Sequence, residues 1–548
     1  MPSADAPSST PRARTLVTTP ARGLAKLSDG QLALLISAAL FVLCAWPLAL
    51  TEVPPYQDLP NHLAAVVVME NPSRYPEFAF NGFFKTNAAL FAWLFLLGKV
   101  TTLETGARLF ALLVLGANAY VLPRFVLALT GSRRRMVLAS LFMWPMVHNW
   151  FVSTGMLDFA LALPLSLGML IAVDRQRRAP TVANGILIAA LGGLTWYAHV
   201  FPLLVVHLLL LIEAVVSWKQ PSRLVTRAVL VPIAPVTALV TASLYGQLTD
   251  KVGPMSGGVD YQTMLPVWDL AYNMWAEWFY GFSKLSLTSI VPCLLLAWIG
   301  IVRRKDSAPF FSPYAFLVLG LLYGFSPYIV TNWFHVNSRL IPYLWIGLLL
   351  RVPERLPRAF AGILCLSAAL YSAGMGMDFV RLERVRREFI AGIPAIPDGA
   401  RLLPLLFSHK ATSDNTRNVL HLWGYYVMAK HTAAPLLFAH SHSFPVIYTT
   451  PPPRRLNHLV LESFALNARD PGAVCTRLFE GNVIVNDCDA AFRSLWGGFW
   501  DDATPAYDYL LVWDGTPSGR AAIPAAYQPI FEEGRLAIYR RGPQPTPP

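Results

Sequence analysis

The stretch Tyr56-Gln57-Asp58-Leu59-Pro60-Asn61-His62 sets a carboxylate, an amide and an imidazole close together, directly after the first long apolar run of the chain. Where a helix leaves a bilayer, such groups act in partly dry surroundings and still reach water, so this stretch suits acid–base chemistry at a membrane face. The same residues also suit a plain helix start, with Pro60 in the first turn and the Asp58 carboxylate against the free amides at the positive dipole end.

Further polar residues fall at the same ends of apolar runs: Asp158, His199 in the Tyr197-Ala198-His199 turn, and His335, Asn337 and Arg339. One chemistry uses the set coherently. Moving a sugar from a lipid phosphate to an acceptor hydroxyl needs a base for the hydroxyl proton and positive charge on the departing phosphate. Asp58 is the candidate base, with His62 and Asp158 beside it as catalytic candidates. Arg339, with His335 or His199, is the candidate phosphate clamp, and Asn61 and Asn337 are substrate-binding candidates. Asp58 and Asp158 could instead share a divalent cation, Mg²⁺ or Mn²⁺, through oxygen ligands. Each residue also has a structural role open to it. Asp158 can cap a helix, His199 can satisfy a turn, and Arg339 can reach lipid headgroups. His148 and His207 lie within apolar runs, where packing between helices is the simpler expectation.

The elements that must position these groups are membrane spans. Of 548 residues, 55% are hydrophobic and 14% charged, against about 25% charged in ordinary soluble domains; the mean hydropathy is +0.45. The net charge of +12 comes from short basic runs between apolar segments, which set orientation, so nucleic acid is not an expected partner. Juxtamembrane Lys and Arg on the cytoplasmic side predict eleven spans: 31–50, 106–129, 136–157, 159–173, 181–197, 200–218, 228–246, 285–302, 310–330, 340–350 and 359–377. The run 88–100 is too short to cross and is expected to lie along the outer face, as is a short amphipathic helix over Pro60–Glu70.

Three domains follow: a disordered cytoplasmic tail over 1–30, a transmembrane part over 31–377 whose first outer loop is 52–105, and an extracytoplasmic α/β or α+β domain over 378–548. Strand-like runs at Tyr509–Trp513 and Arg535–Tyr539 mark the last. Arg381, Arg384, Arg386 and Arg387 follow the final span on the outer side, a misfit that long exported domains tolerate. Cys475 and Cys488, the two cysteines outside the apolar part, pair if that domain is exported and stay reduced if it is not.

In layout, residues 31–377 resemble the GT-C superfamily of membrane glycosyltransferases, in particular bacterial members that add sugars to lipid A, lipopolysaccharide or protein. The residues that carry the resemblance are Tyr56 to His62, the short helix around Ala88–Gly98, Gly106-Ala107-Arg108-Leu109, Gly155-Met156-Leu157-Asp158-Phe159 and the trailing soluble domain. The resemblance implies a polyprenyl-phosphate sugar donor, a lipid, glycan or protein acceptor, an acidic base in the first outer loop, and residence in the bacterial cytoplasmic membrane among its lipids. Many members carry two adjacent acids in that loop, whereas Leu59 follows Asp58 here. Two other classes compete. A transporter or lipid flippase needs polar groups near the midplane, where Glu213 is the main candidate. A non-catalytic envelope assembly factor would use the exported domain to bind partners.

Overall fold

The computed structural model describes residues 27–217, 226–249, 262–263, 265–279, 284–330, 335–411, 416–439, 443–450, 452–453, 456, 461 and 498–542. Most of the amino-terminal tail, Cys475 and Cys488 lie outside these residues. Among them the expected class is observed, a bundle of apolar α-helices followed by a smaller domain with a four-stranded sheet.

Helix α1 (Asp29–Ala45) opens with Ser28, whose hydroxyl accepts from Gln31 N while the Gln31 side chain returns to the Ser28 amide. Helices α2 (Leu59–Glu70) and α3 (Ala89–Leu97) follow in the outer loop, and α4 (Leu103–Thr130) ends at Gly131 in the left-handed region. The next run is broken. Helix α5 (Arg133–Ser140) and the residues Trp144–Ser153 meet at 74°. Pro145 starts a four-residue helix, α6 (Trp144–Val147), and the Asn149 side chain caps another, α7 (Trp150–Ser153). Helix α8 (Leu157–Arg178) then runs through the middle of the bundle, buried along most of its length.

Every run read as a span from the sequence contains helix among the described residues, but helix length does not confirm the count of eleven. Among the described residues five helices are long and apolar enough to cross a membrane: Asp29–Leu50, Leu103–Thr130, Leu157–Arg178, Arg227–Gly246 and Arg358–Ala395. The bent pair makes a sixth if taken as one. Four others, including Val182–Ala198 and Val200–Val216, have 10–17 residues, and Ile341–Leu349 has 9. Proline, glycine and capping side chains shorten the helix within a longer apolar run, which the run's length alone does not reveal. Leu34, Val42, Ile186, Leu211, Val215, Leu294, Trp298 and Ile301 are exposed on the flanks of these helices, as surfaces that meet lipid rather than water require.

The bundle has two chemically distinct ends. At one, Arg133 reaches Leu27 O and Asp29, Arg177 pairs with Asp174 and Glu213, and Arg303 donates to Arg351 O. Glu213 thus belongs to this basic end. At the other, where α8 begins, the outer loop meets the turn after Tyr197: Ala88 N donates to Tyr197 O, and Val200 N to Thr86 Oγ1 at 2.8 Å.

Three of the four arginines that misfit the charge rule, Arg381, Arg384, Arg386 and Arg387, have carboxylate partners here. Arg386 and Arg387 engage Glu383, Arg386 also reaches Glu52, and Arg381 faces Asp378 at 3.7 Å. These four belong to one long helix, Arg358–Ile390, and the boundary drawn at 377/378 falls inside it. Its last turns dock on the carboxyl-terminal domain, where Phe389 packs on Trp513 and Glu388 pairs with Arg535 at 2.7 Å.

In that domain β1 (Leu402–Leu406) runs parallel to β2 (Tyr509–Trp513), which pairs antiparallel with β4 (Leu536–Arg541), and β3 (Tyr527–Glu533) closes the edge. The domain is not separate from the outer loop. Phe78–Phe80 pairs with Val446–Tyr448 as a two-stranded sheet, and the segment Gly424–Lys430 packs on α2. Residues Leu59 to Val68 are therefore buried on all sides of α2, which corrects the expected amphipathic surface helix: its polar-looking flank is covered by the later domain.

The closest approach in that contact is at Gly424, where an added Cβ would lie 2.2 Å from the Pro60 carbonyl oxygen. Gly424→Ala must push the domain off α2. The expected cost is about 1–3 kcal/mol, from overpacking against backbone that cannot yield, read as a lower thermal midpoint of the purified protein in detergent.

Candidate active site

Asp58 occupies the position before α2, yet its side chain makes no capping hydrogen bond. The carboxylate faces His421 instead, with Nε2 at 3.4 Å from Oδ1, and Gln57 Nε2 donates to the same oxygen at 3.0 Å. Its backbone is fixed separately, since Asp58 N donates to Thr154 O at 3.0 Å and Gln57 N to Ser153 O at 3.2 Å. Gly155 makes this approach possible. Its φ is +86°, and a Cβ there would sit 2.8 Å from Asp58 N.

Asn61, the second polar residue of the motif, is a clamp. Its amide donates to Leu436 O at 2.8 Å and lies 3.4 Å from His421 Nδ1, while its oxygen accepts from Phe438 N at 3.2 Å. With an amide donor at Nδ1, the His421 proton belongs on Nε2, where it points at Asp58. Gln57 completes the link by accepting from Arg417 N at 2.7 Å. His62 sits one turn into α2, edge-on to Phe91 at 5.0 Å and beside Phe438. Burial pulls its pKa down from 6.5 to about 4, with the Asp58 charge opposing and His421 adding to the fall. His62 is a neutral imidazole at neutral pH.

Asp158 lies in the first turn of α8 but does not cap it; its Oδ1 accepts from Leu90 N at 2.8 Å, joining the outer loop to the bundle. The next residue, Phe159, forms a floor shared by two candidates. His199 stands edge-on to it at 5.5 Å, and the Arg339 guanidinium lies over it at 6.0 Å and over Phe201 at 5.8 Å. His199 Nδ1 accepts from Phe201 N, so it does satisfy its turn. Burial, then the Arg339 charge, hold the His199 pKa well below 6.5. Burial lowers Arg339 only to about 10, so it keeps its charge at neutral pH. Of these two residues, Arg339 keeps a positive charge and His199 does not.

His335 and Asn337 go elsewhere. His335 Nδ1 lies 3.1 Å from Glu277 Oε1 and 2.5 Å from the Tyr328 hydroxyl, and Asn337 donates to Tyr323 O. The two acids and their neighbours are brought to one end of the bundle, with Asp58 N bonded to the carbonyl of Thr154, four residues before Asp158. Among the described residues no three His, Cys, Asp or Glu side chains come together in a way that would hold a metal ion, so no step below is routed through one.

His421, Arg417 and Asn418 were not legible as site residues. They lie in the segment Arg417-Asn418-Val419-Leu420-His421-Leu422, which carries no motif, and about 360 residues separate them from the loop they complete. Glu277 could be found only as one acid among several in an outer segment.

Fold and site together define a polytopic helical membrane protein with a buried acid–imidazole pair at the end opposite its basic loops. No family model matches the chain, and no curated protein matches it significantly. Among solved structures it is similar to the crystal structure of ArnT from Cupriavidus metallidurans bound to undecaprenyl phosphate, at 14% sequence identity and a TM-score of 0.47, over 93% of this chain and 99% of that one. A likeness of that depth carries no argument about activity, and what the site can do is read from its side chains.

Because His62 is neutral in the fold and protonates near 6.5 when unfolded, the unfolded chain binds more protons between about 6.5 and about 4. Stability is therefore expected to fall as pH drops through that window. In His62→Gln the decline should be shallower, measured as thermal midpoint against pH.

Proposed function

We propose that this chain is an integral-membrane glycosyltransferase that moves a sugar from a polyprenyl-phosphate donor to a hydroxyl of a lipid, glycan or protein acceptor at the non-cytoplasmic face of a bacterial cytoplasmic membrane. The observation that carries the reading is the Asp58 carboxylate, which stands at a helix start without capping it and is instead oriented by the Nε2–H of His421. A carboxylate whose two described side-chain partners, Gln57 and His421, both lie on Oδ1 keeps Oδ2 available as a proton acceptor.

In this reading Oδ2 of Asp58 takes the proton of the acceptor hydroxyl as its oxygen forms a bond to the anomeric carbon. The bond from that carbon to the phosphate oxygen breaks, and the electron pair leaves with the prenyl phosphate. Arg339, still charged despite burial, stabilises the developing negative charge, and the aromatic floor of Phe159 and Phe201 keeps its surroundings dry enough for that charge to count. His62 and His199, both neutral, supply hydrogen bonds and shape rather than charge. Asp158 acts on position, by holding the outer-loop backbone at Leu90. A divalent cation on Asp58 and Asp158 is proposed only as an addition, with further ligands coming from substrate and water. The placement of the basic loops at the opposite end supports a site on the outer side. Glu213 lies among those basic residues, paired with Arg177 at 3.1 Å, which removes the charge a transport path was expected to use.

Asp58→Asn keeps the size and the hydrogen bond at Oδ1 but removes the base. Transfer, followed as release of prenyl phosphate from a panel of prenyl-phosphate sugars by membranes carrying the protein, should drop about 10²–10⁴-fold with expression unchanged. Wild-type turnover in that variant would end the assignment of the base.

A further inference from the structure

A second polar cluster lies one short helix away from Asp58 and has no part in the steps above. Glu277 is 5% exposed and sits where the helix Val267–Phe279 leaves helical geometry, at φ −88° and ψ 19°. Both of its donors converge on one oxygen: the Tyr328 hydroxyl donates to Oε1 at 2.8 Å, and His335 Nδ1 lies 3.1 Å from the same atom. The other oxygen, Oε2, is buried and has no hydrogen-bond partner among the described residues. An acceptor left so costs desolvation free energy that a ligand donor would recover.

What surrounds it defines that ligand. The Trp150 ring packs on His335 at 4.8 Å. Trp150 begins α7, whose far end supplies the Ser153 carbonyl to Gln57 and leads into the Thr154 carbonyl on Asp58. The two clusters are thus about one helical turn apart along one rigid piece of backbone. A buried carboxylate repels a phosphate, so the anionic part of a donor does not belong here. A carboxylate whose protein donors all lie on one oxygen suits a sugar, which brings hydroxyl donors for the other oxygen and no charge to be repelled. The helix that carries Glu277 also presents Val267, Trp268 and Tyr272 outward, an apolar and aromatic track that fits a ligand arriving with a lipid tail.

We infer that Glu277 Oε2, the oxygen that Tyr328 and His335 leave without a donor, is a subsite for a hydroxyl of the glycosyl group of the lipid-linked donor. This rests on the glycosyl-transfer reading but concerns recognition, and it assigns Glu277 to binding rather than to proton transfer.

The test uses the purified full-length protein in detergent and three kinds of probe: citronellyl-phosphate sugars bearing a hexose, a pentose or an N-acetylhexosamine; citronellyl phosphate alone; and the free sugars. At least one glycosylated probe should bind wild type about tenfold more tightly than citronellyl phosphate. In Glu277→Gln that ratio should fall toward one while binding of citronellyl phosphate is unchanged. Tyr328→Phe, which leaves Oε2 as it is, should keep the ratio. Where Glu277→Gln does not fold, Glu277→Asp, which draws the carboxylate back by one methylene, gives the same readout. An unchanged ratio in the Glu277 variants overturns the subsite, as does equal binding of all glycosylated probes and citronellyl phosphate. A fall in both Glu277→Gln and Tyr328→Phe that tracks a lower thermal midpoint means a structural role and overturns it too. Asp58→Asn separates the two claims: it should lose transfer and keep the binding ratio, so persistence of transfer there counts against the base alone.

Discussion

The structure depends on one packed contact, the seating of the carboxyl-terminal domain on helix α2 through Gly424 and the Pro60 carbonyl. Without that cover α2 would lie half in water, and the Asp58 carboxylate would be free to cap it. With the cover in place the helix is buried throughout, and polar groups on it must find partners inside the contact. Asn61 does so with Leu436 and Phe438, and Asp58 does so with His421. The same burial that holds the two parts together thus converts a helix start into an oriented acid.

Charge is distributed along the bundle by the cost of putting it in hydrocarbon. At the basic end Arg177 is paired with carboxylates and Arg303 with a carbonyl of a neighbouring turn, and in the last turns of the final long helix Arg386 is paired with Glu383 and Glu52 and Arg387 with Glu383. The second group explains how a basic segment can stand on the side that loop charge would forbid: within its own helix the charge is already offset. Around the candidate site His62, His199, Asp158 and Arg339 are buried, the condition under which desolvation tunes ionisable groups apart.

That tuning sorts the cationic candidates. An imidazole has a modest affinity for its proton and loses it when buried, so His62 and His199 become neutral hydrogen-bonding groups. A guanidinium begins so far above neutrality that the same burial leaves Arg339 charged. One dry environment therefore produces a neutral wall and a single retained charge, from residues that look interchangeable when listed by type.

Several features were legible from the residues alone. Apolar length and the placement of Lys and Arg located the helices and the two ends, because both follow from transfer free energies that depend on local composition. The strands at Tyr509–Trp513 and Leu536–Arg541 were visible in their β-branched and aromatic runs. Asp58, Asn61, His62, Asp158, His199 and Arg339 could be gathered as a set because topology sends them to one end. What no local pattern reveals is a partner hundreds of residues away. His421 reaches Asp58 and Glu277 claims His335 because side chains must fill a common interior, and that requirement exists only once the whole chain is assembled.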